Sequence, residues 1–240
     1  MAAEHLLLLP GMMCDERMWE AQIRMLPQSI HVPSLAGFDN FPEMASSILD
    51  DAPDQFAVAG LSMGGILAFE LWRQAPERIT HMALMDTNPF AEAPERKSLR
   101  LQQIETALNG GLRELAIEQL KPLYLAKSHR DDEQLLGTIL DMAIDLGPEV
   151  FRSQSMALRD RDDSVETLTN ISCPVTIICG AEDTLCPIGY HEYMASRISG
   201  AKLTIINDCG HLASMEQPDI VTSELQLLFN TSRNSGSIHA

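Results

Sequence analysis

A serine hydroxyl becomes a nucleophile when a base takes its proton, and the first candidate in this 240-residue chain is Ser62, within Gly60-Leu61-Ser62-Met63-Gly64. This G-x-S-x-G follows the apolar run Phe56-Ala57-Val58-Ala59 and opens a segment with helical periodicity. A serine on a sharp strand-to-helix turn stands clear above the sheet edge, and small residues two before and two after it leave room for the bend. The pentapeptide alone carries little weight, since roughly one chain in ten of this length would contain it by chance. Its place between a strand and a helix favours a nucleophile elbow over a glycine-rich turn.

Two other polar segments close apolar strands. Gly180-Ala181-Glu182-Asp183 follows Pro174–Cys179, and Asn207-Asp208-Cys209-Gly210-His211 follows Lys202–Ile206. Reactive groups in an open parallel sheet gather beyond the carboxyl ends of the strands. Ser62, Asp183 and His211 are therefore the candidate nucleophile, orienting acid and base. Asp86, which also ends a strand, and Glu182 are rivals for the acid. His31, His81, His129 and His191 compete with His211 by type, but none follows a strand within a glycine loop. Cys14, Cys186 and Cys209 fall near these loops, yet none sits on an elbow, and small buried residues are their better reading.

The elements that must position these groups alternate. Strands are expected at His5–Leu9, Ser29–Pro33, Phe56–Val58 and Ile79–Met85. Helices are expected at Glu16–Leu26, Pro42–Leu49 and Met63–Gln74. Short unalternating apolar runs suit strands buried on both faces of a parallel sheet, and strand–helix alternation implies right-handed crossovers. From Glu92 to about Asn170 the alternation stops. Helices are expected there at about Pro94–Leu108, Leu112–Leu125, Asp132–Leu146 and Pro148–Arg159, with breaks at Gly110-Gly111 and Gly147-Pro148. The third has an apolar surface wider than one packing stripe requires, as a lid or as an ordinary buried helix. Alternation then resumes with the strand Pro174–Cys179, the helix Tyr190–Ile198, the strand Lys202–Ile206 and the helix Val221–Phe229.

The order Ser62, Asp183, His211 is the order of an α/β-hydrolase triad, and from about Leu6 to Phe229 the sequence resembles the α/β-hydrolase fold family. Met63 matches the residue after the nucleophile, and Leu9-Pro10-Gly11-Met12 resembles the oxyanion motif H-G-x with Pro10 in place of His. Asp183 with Pro187 after it matches the usual acid loop, which sets Asp183 ahead of Asp86 and Glu182. The resemblance implies an oxyanion hole built from the backbone N–H groups of Met12 and Met63. It also implies a core at 1–88 and 173–230, a helical cap at 89–172 inserted after the strand ending at Asp86, and a disordered tail at 231–240. Because the oxyanion strand starts almost at Met1, without a preceding hairpin, the sheet is expected to be trimmed to about six mainly parallel strands. The activity implied is a serine hydrolase of carboxylic esters, lactones or thioesters working through an acyl-enzyme. Carbon–carbon bond hydrolysis, acyl transfer and low-turnover binding of a small molecule are alternatives on the same residues.

Composition narrows the partners. With 34 acidic against 17 basic residues the net charge is -17, which disfavours nucleic acid and an acidic membrane surface. Five cysteines without CxxC spacing argue against a disulfide framework or zinc site. His5–Leu9 is too short to span a bilayer and lacks the basic flank of a secretory signal. A cytoplasmic protein without cofactor or metal, acting on a small acyl substrate, is expected. Met12, Met13 and Met63, among 13 methionines, suggest a pliable acyl pocket or ordinary core filling. Arg152, Arg159 and Arg161 are candidates to meet a substrate carboxylate, but with so many acids nearby solvent-facing salt pairing is the expected use, and Glu216 is expected to cap the last helix.

Overall fold

The computed structural model describes residues 4–120 and 123–231. Six parallel strands form its sheet: β1 (His5–Leu9), β2 (Ser29–His31), β3 (Phe56–Leu61), β4 (Ile79–Met85), β5 (Val175–Gly180) and β6 (Lys202–Ile206), in the order β2-β1-β3-β4-β5-β6. Every residue of β3 and β5 is buried, as expected of runs without a polar alternation. Edge strands β2 and β6 are partly exposed.

Alternate residues divide between two layers. Leu7, Leu9, Val58, Leu84 and Ile177 pack beneath α2 (Phe41–Asp51) and α3 (Met63–Gln74), and also meet Met194 of α8 (Ile188–Arg197). Leu6, Leu8, Ala57, Ala59 and Ala83 face the other way, toward Trp19 and the helix Pro218–Phe229. The remaining helices are α1 (Glu20–Met25), α4 (Pro94–Thr106), α5 (Leu112–Leu115), α6 (Glu133–Asp160), α7 (Val165–Asn170), α9 (Ala213–Glu216) and α10 (Pro218–Phe229). Asn40 caps α2, its side chain accepting from the Glu43 N–H at 2.9 Å.

Between β4 and β5 the described residues hold helices only. Gly110, at φ 92°, breaks the chain between α4 and α5. The helix expected at Leu112–Leu125 instead ends its regular part at Leu115 and continues as a wider turn over Ala116–Leu120, and residues 121–122 lie outside the described residues. Helix α6 bends at Gly147 (φ 80°), just before Pro148, because that proline removes a backbone donor and crowds the preceding turn. Its wide apolar surface has two neighbours. Ile139 and Met142 join the sheet layer, whereas Ala143 and Phe151 join a third cluster with Ile104, Leu112, Leu115 and Met13. Except for Thr231, the tail expected at 231–240 lies outside the described residues.

The winding reverses between β1 and β3, the position in such sheets where a crevice opens beyond the strand ends. Leu9 pairs with Gly60 there, so the loop after β1 lies beside the turn after β3. The approach is close: a Cβ on Gly64 would fall on the Leu9 carbonyl, and one on Gly60 on the Gly64 carbonyl. Replacing Gly64 by alanine is expected to cost at least about 3 kcal/mol in urea unfolding, because two backbone segments must separate. Gly137→Ala, at a helical position with open space around it, should gain up to about 1 kcal/mol in the same assay. A Gly64→Ala protein as stable as wild type would contradict the packing described.

Candidate active site

The end of β3 runs directly into α3, and the joining residue, Ser62, has φ 56° and ψ -114°. A non-glycine residue is costly there and is held by its surroundings. The Ser62 N–H donates to Met85 O at 2.9 Å, while its carbonyl accepts from the Gly65 N–H (3.0 Å) and from Thr87 Oγ1 (2.7 Å). These bonds fix the backbone at both sides of the serine and leave Oγ at the carboxyl end of the sheet.

Side-chain contacts bring Ser62, His211 and Asp183 into one line. His211 Nδ1 lies 2.8 Å from Asp183 Oδ2, and His211 Nε2 lies 2.9 Å from Ser62 Oγ. The carboxylate only accepts, so Nδ1 carries the proton and Nε2 is left as an acceptor for the serine hydroxyl. Asp183 is oriented in turn, its Oδ1 accepting from the N–H groups of Leu185 (2.8 Å) and Cys186 (2.9 Å). Both Asp183 and His211 are buried. The arrangement can move a proton from a serine hydroxyl to an imidazole and stabilise the imidazolium formed.

The rivals go elsewhere. Asp86 is fully buried, and its oxygens accept from the Gly180 N–H (2.8 Å) and the Ala213 N–H (3.1 Å). It thus ties the loop carrying Asp183 to the loop carrying His211. Burial, with the Asp183 charge nearby, raises its pKa. Glu182 Oε2 accepts from the Lys127 N–H at 3.1 Å. His81 contacts the Thr231 carbonyl, His129 Glu216, and His191 the Thr87 N–H. Burial raises the thiol pKa of Cys14 to about 12, and those of Cys186 and Cys209 also rise, which keeps them protonated.

In the loop after β1, where the oxyanion donor Met12 is expected, Gly11 N–H donates to Met18 Sδ (3.3 Å) and Met13 N–H to Gln154 Oε1 of α6 (2.8 Å). Between them the Met12 N–H has no acceptor among the described residues, and neither has the Met63 N–H at the first position of α3. Of the three methionines, Met12 alone lines the cavity; Met63 is core, and Met13 enters the third cluster.

Three positioning residues escape a reading of the sequence. Gln154 reaches Met13 across 141 residues, and no local pattern announces it. Glu216 does not cap the last helix as expected. Its Oε1 accepts from the N–H groups of Gly210 (2.8 Å) and Leu212 (3.4 Å), on either side of His211, and its Oε2 from Ala126 N–H (2.8 Å). The Tyr124 ring stacks on the His211 ring at 6.0 Å, and its backbone carbonyl accepts the His211 backbone N–H at 2.7 Å. The arginine expectation is corrected too: Arg152 and Arg159 pair with Glu149 and Asp160, but Arg161 turns inward, because Glu92 and two backbone carbonyls receive it.

Two sets of metal-ligand types cluster within 4.8 Å, Asp86 with Cys179 and His191, and Asp183 with Cys186 and His211. Their carboxylates and imidazoles are already engaged by the hydrogen bonds above, and burial holds both thiols protonated.

Serine, carboxylate and imidazole supplied in this chain order by a doubly wound sheet define a class of serine-centred folds. The chain belongs to the α/β-hydrolase fold family, whose model matches residues 37–218. It is 26% identical over 234 residues to the pimeloyl-[acyl-carrier protein] methyl ester esterase of Aromatoleum aromaticum, covering 89% of this chain and 93% of that one. A monoacylglycerol lipase of Xenopus laevis is 25% identical over 262 residues, covering 95% and 77%. Among solved structures, a thermophilic esterase from Thermogutta terrifontis superposes with a TM-score of 0.87 at 28% identity, covering 94% and 89%.

His191 supplies a stability test. Its Nε2 accepts the Thr87 N–H, and burial lowers its pKa from 6.5 to about 4. On acidification the unfolded chain takes up this proton first, so stability is present above pH 6.5 and is lost as pH falls toward 4. This group should account for up to about 3 kcal/mol of that loss. Urea unfolding of His191→Gln should therefore depend less steeply on pH across that window. A slope equal to wild type would contradict a buried neutral imidazole.

Proposed function

We propose that the protein hydrolyses carboxylic esters or related acyl substrates through an acyl-enzyme on Ser62. The observation that carries the reading is the continuous line from Ser62 Oγ to His211 to Asp183, at 2.9 Å and 2.8 Å. In this mechanism Ser62 attacks the acyl carbonyl as His211 Nε2 takes its proton. Asp183 holds the tautomer and stabilises the imidazolium. The N–H groups of Met12 and Met63 receive the developing oxyanion, and pre-set donors of this kind are worth about 10²–10³ each in rate. His211 then protonates the departing alkoxide. Water, deprotonated by the same imidazole, releases the acid and restores Ser62.

The esterases among the relatives support the same bond class. The cavity above Ser62, about 220 Å³, suits a small substrate. We assign 1–88 and 173–230 to the catalytic core and 89–172 to a helical cap that shapes this cavity. A cytoplasmic location is supported by five free, buried cysteines. No helix among the described residues is long and apolar enough to cross a membrane.

Hydrolysis of acetyl, butyryl, hexanoyl and octanoyl p-nitrophenyl esters tests the reading. Wild type should turn over the shorter members, and Ser62→Ala should fall by about 10⁴–10⁶ in kcat. Equal rates in wild type and mutant would overturn Ser62 as the nucleophile.

A further inference from the structure

The charge at one end of the cavity runs against that of the chain. Against a net charge of -17, the cavity that reaches Ser62 and His211 is lined by three guanidiniums, Arg96, Arg100 and Arg161, and one carboxylate, Glu92. Arg100 Nε and Arg161 Nη1 converge on the same Glu92 oxygen, at 2.6 Å and 3.2 Å. All three side chains are well buried, Arg100 at 16% exposed, Arg161 at 6% and Glu92 at 2%. Burial would raise the Glu92 pKa, but the two guanidiniums hold it low, so the carboxylate is charged. One negative charge then faces two buried positive ones, and a buried charge without a counter-ion is costly.

The two arginines differ in what remains free. Arg161 also gives Nε to Phe90 O (2.9 Å) and Nη1 to Leu158 O (2.7 Å), which makes it a strut under Glu92. Arg100 spends Nε on Glu92. Among the described residues its other N–H groups meet only the weak acceptor Met12 Sδ, at 3.7 Å. That contact sets its terminal nitrogens next to the loop whose N–H faces the reacting carbonyl. Arg96 stands exposed at the mouth of the same cavity. A planar fork with free donors, held by its Nε, is suited to a carboxylate.

We propose that Arg100, assisted by Arg96, binds a carboxylate on the substrate, so that the preferred substrates are half esters of short dicarboxylic acids. For catalysis this rests on the ester-hydrolase reading of Ser62; the anion site itself does not. Against the net charge of -17, this cluster of guanidiniums concentrates the attraction for an anion at the cavity.

The test compares the monomethyl ester of glutaric acid with methyl pentanoate, a neutral ester of equal chain length. Wild type should favour the half ester in kcat/KM by about ten- to a hundredfold. Arg100→Gln should reduce that ratio by about tenfold or more, and Arg96→Gln, which breaks no hydrogen bond or ion pair among the described residues, by a smaller factor that shrinks further in high salt. A wild-type ratio near one, or a ratio unchanged in both variants, would overturn the proposal. Calorimetric titration of Ser62→Ala with glutarate separates the two readings. Binding that is lost on adding Arg100→Gln, with neither ester cleaved by wild type, supports the anion site and removes the ester-cleaving role. Turnover of both esters at equal rates without glutarate binding removes the anion site and leaves the ester-cleaving role.

Discussion

Everything at the carboxyl end of this sheet depends on one contact between backbones, the first turn of α3 against the end of β1. Leu9 and Gly60 are paired neighbours, and Gly64 rests against the Leu9 carbonyl with no space for a side chain. That proximity has two consequences. It forces Ser62 into a left-handed φ, which lifts Oγ away from the sheet. It also brings the loop after β1, which carries the Met12 N–H, beside the turn that carries Ser62 and the Met63 N–H. A longer approach would relax the serine and open the pair of donors together.

Around that contact the loops are held by buried carboxylates rather than by apolar packing. Asp86 joins the acid loop to the start of α9, and Glu216 clasps the backbone on both sides of His211. Each carboxylate is inside the protein and each oxygen receives backbone N–H groups, which is the condition under which such burial is tolerated. Loops otherwise drift, and contacts of 2.8 Å and 2.9 Å joining Asp183, His211 and Ser62 leave little margin for drift. Gln154 of α6 does the same for the loop after β1, receiving the Met13 N–H, so α6 and that loop are joined.

The parts legible in the sequence are those written locally. Leu6 to Leu9 and Phe56 to Leu61 are strands covered on both faces, and that environment demands unbroken apolar runs. Gly60 and Gly64 bracket a serine because the turn has no room for anything larger. The polar loops after β5 and β6 were visible because each closes a short strand, fully buried in β5 and partly exposed in β6, and the structure brings Asp183 and His211 to Ser62. What stayed hidden depends on contacts between distant segments. Nothing near Gln154 points to Met13. Arg161, beside several acids, looked like a surface residue until the fold brought Glu92 beneath it. Glu216 lies at a helix start, where a cap is the ordinary use of an acid, and only the three-dimensional course of the His211 loop gives it another. Between β4 and β5, the break at Gly110 and the bend at Gly147 were readable, but the early end of α5 was not, since its apolar spacing continues past Leu115.

The central claim is that His211 and Asp183 make Ser62 a nucleophile. It is tested most directly by intact-mass analysis after exposure to a fluorophosphonate, followed by peptide mapping. The account predicts one adduct per chain, on Ser62, absent in Ser62→Ala and slowed by at least about 10³ in His211→Ala, as expected when the base is removed. An adduct on another residue, or undiminished labelling in His211→Ala, would contradict it.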